Sequence, residues 1–311
     1  MLLLVVILAA VPFLLASYPV SLGGRILAFA LVVVSTDLLT GVTGMPTLAQ
    51  VGYFGVGAYS AGLVGIHWTD NLIVQLAVGT LAAGLLALVT GVVAVRTAGI
   101  VFLMVTLAIG ELIHQVADRL DFLGASNGLV GIPAGTLYPG GEPLILAGYT
   151  YWWALLVFLL GLTVAYVVAK SPLGLSMRAV RESPTRLRAV GQSTYVVRLV
   201  AFIIAGAIAG AAGTAWTAQT RFVSPGDLAF SVSALALLSV VLGGAGTLWG
   251  PAIGAAVVFL TRDWLAANYF TGHADLLLGI VFVLAVFLLP RGIAGYQLSR
   301  RSDPPHSGAA A

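Results

Sequence analysis

The sequence predicts an all-α protein that crosses a membrane many times, and three observations carry that prediction. Hydrophobic residues make up 60% of the 311 positions and charged residues only 8%, whereas a soluble domain carries about 25% charged residues. The mean hydropathy of +1.06 is correspondingly high. The apolar residues fall in long runs separated by short polar or glycine-rich connections. A polytopic helical membrane protein is the class that fits all three observations.

We count ten apolar runs and predict that each is a transmembrane or half-spanning helix. They are Leu2–Ala16, Ile26–Leu39, Tyr53–Ile66, Leu72–Val95, Ile100–Val116, Tyr149–Ala169, Val196–Ala218, Phe230–Gly243, Pro251–Leu265 and Ala274–Leu289. A helix of 14 residues rises only about 21 Å, against a hydrocarbon core of about 30 Å. The shorter runs are therefore half-helices or extend into the flanking residues. The first run lacks a basic start, so we expect a membrane span rather than a cleaved signal peptide.

A basic stretch, residues 170–191, is the longest polar interruption between apolar runs. It holds Lys170 and four arginines against one acid, Glu182. Short basic loops stay on the cytoplasmic side, so this stretch predicts the orientation of the whole chain. Counting runs in both directions puts the N-terminus and the basic tail, residues 291–311, in the cytoplasm as well.

The same stretch also predicts a short cytoplasmic helix. Ser183 followed by Pro184 is typical of a helix start, and Gly191 of a helix stop. Leu187 and Val190 are three apart and would share one apolar face. A topology anchor without further function is the alternative that composition leaves open.

Glycine-rich residues interrupt the apolar pattern twice, at 41–58 and at 243–256. Broken helices persist in a membrane only where protein or an aqueous cavity surrounds them. Paired interruptions of this kind indicate a translocation path in transporters. Close helix packing is the alternative, because glycine recurs every four residues in the second stretch.

The sequence contains no recognisable catalytic or metal-binding set. It has no cysteine, which excludes disulfides and thiol chemistry. The run GGAGTLWG lacks the Gly-Lys-Ser/Thr ending of a phosphate-binding loop, and the four histidines lack metal-ligand spacing. The small net charge of +3 reflects topology rather than nucleic-acid binding. Two acids, Asp37 and Glu111, fall inside predicted spans, where an ionisable residue has a functional role or lies at a helix end.

Polar and aromatic residues predict the outer face between residues 117 and 149. Ser126, Asn127 and Gly128 form a turn signal in a connection that the topology places outside. Tyr149, Tyr151, Trp152 and Trp153 follow it, and we expect them to form an aromatic belt at the outer interface.

Five blocks of the chain resemble the LivM-type permease subunits of branched-chain amino acid ABC importers. They stand in the order of that family: DLLTGVTGMPTLAQVGYFGVGAYSAGL (37–63), GASNGLVGIP (124–133), SPLGLSMRAVRESPTRLRAVG (171–191), FVSPGDLAFSVSALALLSVVLGGAGTLWGPAIGAA (222–256) and LLPRGIAG (288–295). The resemblance implies one permease domain over residues 1–311, in a bacterial or archaeal plasma membrane. It implies no cofactor and no metal of its own, since the ATP would be hydrolysed by partner subunits.

The resemblance also implies the partners and the roles of particular residues. The partners would be a second, LivH-type permease, two cytoplasmic ATPases and an extracytoplasmic solute-binding protein. Residues 170–191 would couple to the ATPases through Arg178, Glu182, Leu187, Val190 and Gly191. The 41–58 stretch would line the substrate pathway, with these residues nearest the solute: Thr47, Gln50, Tyr53 and Phe54. Ser126, Asn127 and Gly128 would close the outer face or meet the binding protein, with an ordinary surface turn as the alternative.

Departures from the family pattern leave the solute open. Met45-Pro46 replace a Gln-Leu type pair beside the expected pathway, and the Glu-Ala-Ala triplet general to ABC permeases is absent from residues 176–191. Relatives that carry urea, short amides or aromatic acids remain alternatives within the family. An ion-coupled secondary carrier is a second class, and a membrane-embedded enzyme is a third that lacks any supporting residue set.

Overall fold

The computed structural model describes residue 12, residues 17–137, 143–144 and 146–265, and the single residues 279, 283, 292 and 293. Every regular element within these residues is helical, as the composition predicts. Five of the helical segments are long and apolar enough to cross a membrane, namely Tyr18–Thr43, Leu72–Ala94, Gly99–Arg119, Ala147–Lys170 and Thr194–Thr220. The described part of the chain is thus that of a multi-pass membrane protein.

Ten α-helices follow one another along the described chain. They are α1 (Ser17–Asp37), α2 (Gln50–His67), α3 (Leu72–Ala94), α4 (Gly99–Arg119), α5 (Ala147–Lys170), α6 (Pro172–Glu182), α7 (Pro184–Ala189), α8 (Thr194–Thr220), α9 (Phe230–Gly243) and α10 (Trp249–Phe259). Two π-helical segments continue α1 and α10, Leu38–Thr43 and Leu260–Leu265. Three 3₁₀ turns lie in the connections, at Asp121–Leu123, Ala125–Asn127 and Pro225–Leu228.

Eight of the ten predicted runs correspond to these helices, with ends shifted by a few residues. The run at 26–39 is longer than predicted, because α1 begins at Ser17 and its π-helical continuation ends at Thr43. The runs at 2–16 and 274–289 lie outside the described residues, apart from residues 12, 279 and 283. Helices α6 and α7 occupy the basic stretch, where the sequence predicts only the second of them.

Helix α1 forms the centre of the molecule. In its most apolar part 89% of the residues are buried, and it packs against α5, α8, α9 and α10. Leu31, Val32, Val33 and Val34 have no exposed surface. A helix that is apolar on all sides is stable only when other helices enclose it, and α1 therefore organises the core.

Small residues bring α2, α3 and α8 close together. Ala83 and Ala87 of α3 face Gly206 and Gly210 of α8, and a methyl group on either glycine would overlap those alanines. In a membrane, helix association depends on such close packing because lipid tails are as apolar as the side chains. The recurrence of glycine in α8 is thus explained by packing.

Helices α9 and α10 form a short antiparallel hairpin that packs on α1. A methyl group on Gly254 of α10 would overlap the Ser239 carbonyl oxygen of α9. The glycine-rich stretch 243–256 is therefore a packing element along α10, while its loop, residues 244–248, has a separate role described below.

The two ends of the bundle differ in their charged residues. Arg96 and the arginines of residues 170–191 lie at one end, which we call the basic end. The Tyr195 hydroxyl at the start of α8 donates to the Val92 carbonyl oxygen near the end of α3 at 3.1 Å, which joins these two helices at this end. The opposite end holds residues 120–137 and 221–229, which a backbone pair joins: Leu129 N donates to Val223 O at 2.7 Å and Val223 N to Leu129 O at 3.3 Å.

Candidate functional site

Helices α6 and α7 form a hairpin at the basic end, and similar capping residues start both. The Ser171 hydroxyl accepts a hydrogen bond from Gly174 N, and the Ser183 hydroxyl accepts one from Arg186 N. Proline follows each serine at the first helical position, where its missing N–H costs nothing. Gly191 has a φ of 84°, a left-handed conformation that favours glycine. The predicted start at Ser183 and stop at Gly191 are both found.

Helix α6 packs one apolar face against the bundle and presents a polar face outward. Gly174, Met177 and Val180, three residues apart, are buried, and Met177 has no exposed surface. This spacing follows the helical period. The Ser176 hydroxyl also donates to the Gln192 side chain at 2.7 Å, which ties α6 to the residue after Gly191.

The structure corrects the predicted shared face of Leu187 and Val190. Leu187 is only 8% exposed and belongs to the core of this chain, whereas Val190 is 79% exposed. Leu187 therefore anchors α7 to its own subunit and is not free to fill a groove in a partner. Val190 remains the exposed apolar residue of the pair.

Arg178 and Glu182 lie four residues apart on α6, but they form no ion pair with each other. One guanidinium nitrogen of Arg178 instead donates to the Ala169 carbonyl oxygen at 2.8 Å. The last carbonyl groups of a helix lack partners within it, so a cation at the C-terminus of α5 satisfies one of them. Glu182 is exposed and makes no ion pair among the described residues.

Arg181, which the sequence analysis does not single out, connects α6 to the membrane helices. Its guanidinium group donates a hydrogen bond to the Gly41 carbonyl oxygen in the π-helical continuation of α1. The aliphatic part of Arg181 lies so close to Gly44 that a methyl group there would overlap it. The basic hairpin is thus bonded directly to the end of the central helix.

Asp37 holds the two glycine-rich stretches together at the same place. Its side chain has no exposed surface, and its two carboxylate oxygens accept from Gly246 N at 2.7 Å and from Leu248 N at 2.9 Å. The carboxylate therefore bonds the loop between α9 and α10 to the end of α1. We call Asp37, Gly41, Arg181, Gly246 and Leu248 the polar junction.

The two acids predicted inside spans thus have different environments. Asp37 is at the end of α1, and it binds a loop more than 200 residues away in sequence. Glu111 is 42% exposed and accepts from the His114 ring at 3.4 Å and from the Gln115 amide at 3.3 Å, both on its own helix. A single acid between apolar residues was the only sequence signal for Asp37. Its partners could not be predicted, because backbone N–H groups are present at almost every position and give no pattern in the sequence.

The four predicted pathway residues lie in different surroundings. Thr47, Gln50 and Tyr53 are at most 1% exposed, and Tyr53 is held by a 2.7 Å hydrogen bond to the Thr90 hydroxyl. All three side chains are buried within the chain, and their part in a substrate pathway stays a prediction. Phe54 is 4% exposed and lines a cavity between α1, α2, α8, α9 and α10.

The predicted turn at the opposite end is present. Residues Ala125–Asn127 form a 3₁₀ turn, with Ser126 and Asn127 exposed and Gly128 buried. The predicted aromatic belt is formed only in part. Tyr149 and Trp152 are 56% and 40% exposed, but Tyr151 and Trp153 are 1% and 6% exposed, because residues on opposite sides of a helix cannot share one surface.

A family model described as "Branched-chain amino acid transport system / permease component" matches residues 18–286. The chain is also 28% identical to the high-affinity branched-chain amino acid transport system permease protein LivM of Escherichia coli (strain K12). That alignment covers 312 positions, 93% of this chain and 73% of the relative. The LivM of Salmonella typhimurium is similar to the same extent.

A more distant similarity covers half of the chain. The autoinducer 2 import system permease protein LsrC of Salmonella choleraesuis is 30% identical over 166 positions, which are 48% of this chain and 46% of the relative. No solved structure matches the chain.

Proposed function

We propose that this chain, which belongs to the family of branched-chain amino acid transport permease components, is one of two permease subunits of an ATP-driven importer. Its solute would be a branched-chain or related hydrophobic amino acid. The chain would supply half of the translocation pathway and no chemistry of its own. The similarity to LivM over 93% of the chain supports the amino-acid solute.

The bond between Arg181 and Gly41 is the observation that carries the proposed coupling to an ATPase. Coupling requires contacts that differ between nucleotide states, and therefore a rigid element that reaches from the ATPase into the membrane domain. Helix α6 is such an element, because Arg181 joins it to the end of α1 and Asp37 joins α1 to the loop before α10. A displacement of α6 would then move α1 and the α9–α10 hairpin together.

The proposed assembly has a second, LivH-type permease, two ATPases at the basic end and a solute-binding protein at the opposite end. The basic end would face the cytoplasm of a bacterial or archaeal cell, as the positive-inside rule requires. Residues 170–191 would contact the ATPases through exposed side chains such as Val190, Glu182 and Arg186. Residues 124–133 would contact the binding protein through Ser126 and Asn127.

A different solute is the alternative that one observation favours. The similarity to LsrC, whose name describes autoinducer 2 import, shows that part of this chain resembles a permease for another kind of small molecule. Urea, short amides and aromatic acids are further candidates within the family. An ion-coupled carrier that works alone would instead transport without any ATPase.

Two arginines of the basic hairpin offer a matched test of coupling. Arg181→Ala removes the bond to Gly41, whereas Arg186→Ala removes the same charge from an exposed side chain that makes no described hydrogen bond. A hydrogen bond to a charged group contributes about 1.5–3 kcal/mol, so we expect Arg181→Ala to lower ATP-driven uptake of radiolabelled leucine about tenfold or more. Arg186→Ala should retain most of the uptake in the same reconstituted importer.

Equal losses in the two variants would contradict coupling through Arg181 and would favour a topology anchor. Thermal unfolding of both purified variants separates lost coupling from lost stability. Leucine uptake by this chain alone under an ion gradient would support the secondary carrier instead.

A further inference from the structure

A cavity of about 120 Å³ lies between the central helix and the α9–α10 hairpin. Four aromatic rings surround part of it. Phe54 and Trp216 are in edge contact with centroids 5.9 Å apart, and Phe259 lies 6.2 Å from Trp216 and 5.1 Å from Phe29. Aliphatic side chains of α1, α2, α9 and α10 complete the apolar wall, among them Val32, Val51 and Val232. Packing of the rings on one another makes this a preformed pocket.

Two side chains of opposite charge face the same cavity. Asp227 belongs to the 3₁₀ turn between α8 and α9, and Arg262 to the π-helical continuation of α10. No ion pair joins them among the described side chains. Arg262 is exposed and Asp227 is half-buried, so the acid lies deeper than the base. Arg25 lies near enough to Asp227 to favour its ionised form, but neither Asp227 nor Arg262 forms an ion pair among the described residues, so each retains capacity for a ligand.

Asp227 is held in place by one of its two oxygens. Oδ2 accepts from Ser224 N at 2.9 Å and from the Ser224 hydroxyl at 3.3 Å, while Oδ1 accepts no hydrogen bond from the described residues. Burial raises the pKa of the Asp227 carboxyl above its usual range, and the Ser224 bonds and Arg25 oppose that shift. A bound cation would stabilise the ionised form that burial disfavours.

The cavity thus combines one anionic acceptor and one cationic donor with apolar walls.

We infer that this cavity binds the zwitterion of a small aliphatic amino acid, with its ammonium group at Asp227 and its carboxylate at Arg262. The aliphatic side chain occupies the wall formed by the aromatic rings and the valines. The cavity volume of about 120 Å³ is several times the roughly 10–15 Å³ that holds one water molecule, so the cavity has room for a small solute. This inference deepens the proposed function and rests on it for the solute class.

Direct binding tests the inference without the rest of the importer. The full chain and its second permease subunit, together in lipid nanodiscs, are titrated with L-leucine by calorimetry. Asp227→Asn retains an oxygen for Ser224 N but loses the charge, and we expect leucine to bind at least about tenfold more weakly. Val232→Phe fills the cavity and should abolish binding. Asp70→Asn, at an exposed acid of the same end, is the matched control and should bind as the unmodified chain does.

Two leucine analogues separate the two charges. In 4-methylpentanoate the ammonium group is missing, and in leucinamide the carboxylate is missing. Both should bind at least about tenfold more weakly than leucine. Asp227→Asn should not weaken the binding of 4-methylpentanoate further, because that analogue has no ammonium group. The same substitution should still weaken the binding of leucinamide.

Leucine binding that is unchanged in both Asp227→Asn and Val232→Phe would overturn the inference, as would no binding to the unmodified chain. Leucine uptake by the complete importer is measured in parallel. Uptake without binding at this cavity overturns only the inference, whereas an importer that takes up no aliphatic amino acid overturns the proposed function. Thermal unfolding of each variant confirms that it is folded.

Discussion

At the scale of single residues, Asp37 accepts hydrogen bonds from two backbone N–H groups of one loop. Gly246 N and Leu248 N both donate to it, and the loop that carries them contains three residues with positive φ, at Gly244, Gly246 and Leu248. Within the loop the Thr247 hydroxyl donates to the Gly244 carbonyl oxygen at 2.8 Å, and the two bonds to Asp37 add to that one. The carboxylate therefore fixes the loop conformation as well as its position.

We expect Asp37→Ala to destabilise the protein more than Asp37→Asn does. The alanine leaves the N–H group of the buried Leu248 unpaired, at about 1–3 kcal/mol, and also removes the bond to Gly246 N, whereas the asparagine retains one acceptor oxygen. Glu111→Ala is the control, since its half-exposed side chain bonds only within α4 and should lower stability by about 0.5 kcal/mol or less. The free energy of unfolding in detergent measures all three. An alanine variant as stable as the asparagine variant would contradict this role of Asp37.

At the scale of elements, the basic hairpin separates residues that hold it in place from residues that remain available. Leu187 is buried in the core, and Val190, three positions later, is exposed. The sequence predicted the helix itself from Ser183, Pro184 and Gly191, because capping residues act locally. It did not predict which apolar side chain faces inward, since that depends on where α8 and α6 lie.

Leu187→Ala should therefore affect stability, whereas Val190→Asp should affect the contact with the ATPases. Removing the buried leucine should lower the free energy of unfolding by about 2–5 kcal/mol. Val190→Asp should leave stability within about 0.5 kcal/mol but reduce co-purification of the ATPase subunits, because it puts a charge on an exposed apolar contact. Unfolding and co-purification are measured on the same preparations. Normal ATPase recovery with Val190→Asp would exclude this residue from the interface.

At the scale of the whole molecule, composition and run length were enough to predict the class and most of the helices. They could not predict that residues 41 and 246 meet, because the contact is made by a backbone carbonyl, a backbone amide and two distant charged side chains. The cavity was missed for a related reason. Asp227 and Arg262 lie on separate elements, and only the packing of α1 against the α9–α10 hairpin makes them face one space.

The orientation of the molecule gives a prediction that the absence of cysteine makes simple to test. Ser126→Cys, exposed at the opposite end, should react with a membrane-impermeant maleimide in intact cells. Ala189→Cys, exposed at the basic end, should react only after the membrane is permeabilised, because basic loops stay in the cytoplasm. The unmodified chain provides the background, since it has no cysteine. The reverse labelling pattern would invert the proposed topology.

The backbone pair between Leu129 and Val223 has a mechanical consequence for the end that would meet a binding protein. Ser126 and Asn127 are exposed a few residues before Leu129, and Asp227 follows Val223 by four residues. The two hydrogen bonds between Leu129 and Val223 join the two segments, so a displacement of the exposed turn would be transmitted to the segment that carries Asp227. A binding protein that docks on the turn would thereby also shift the carboxylate at the cavity.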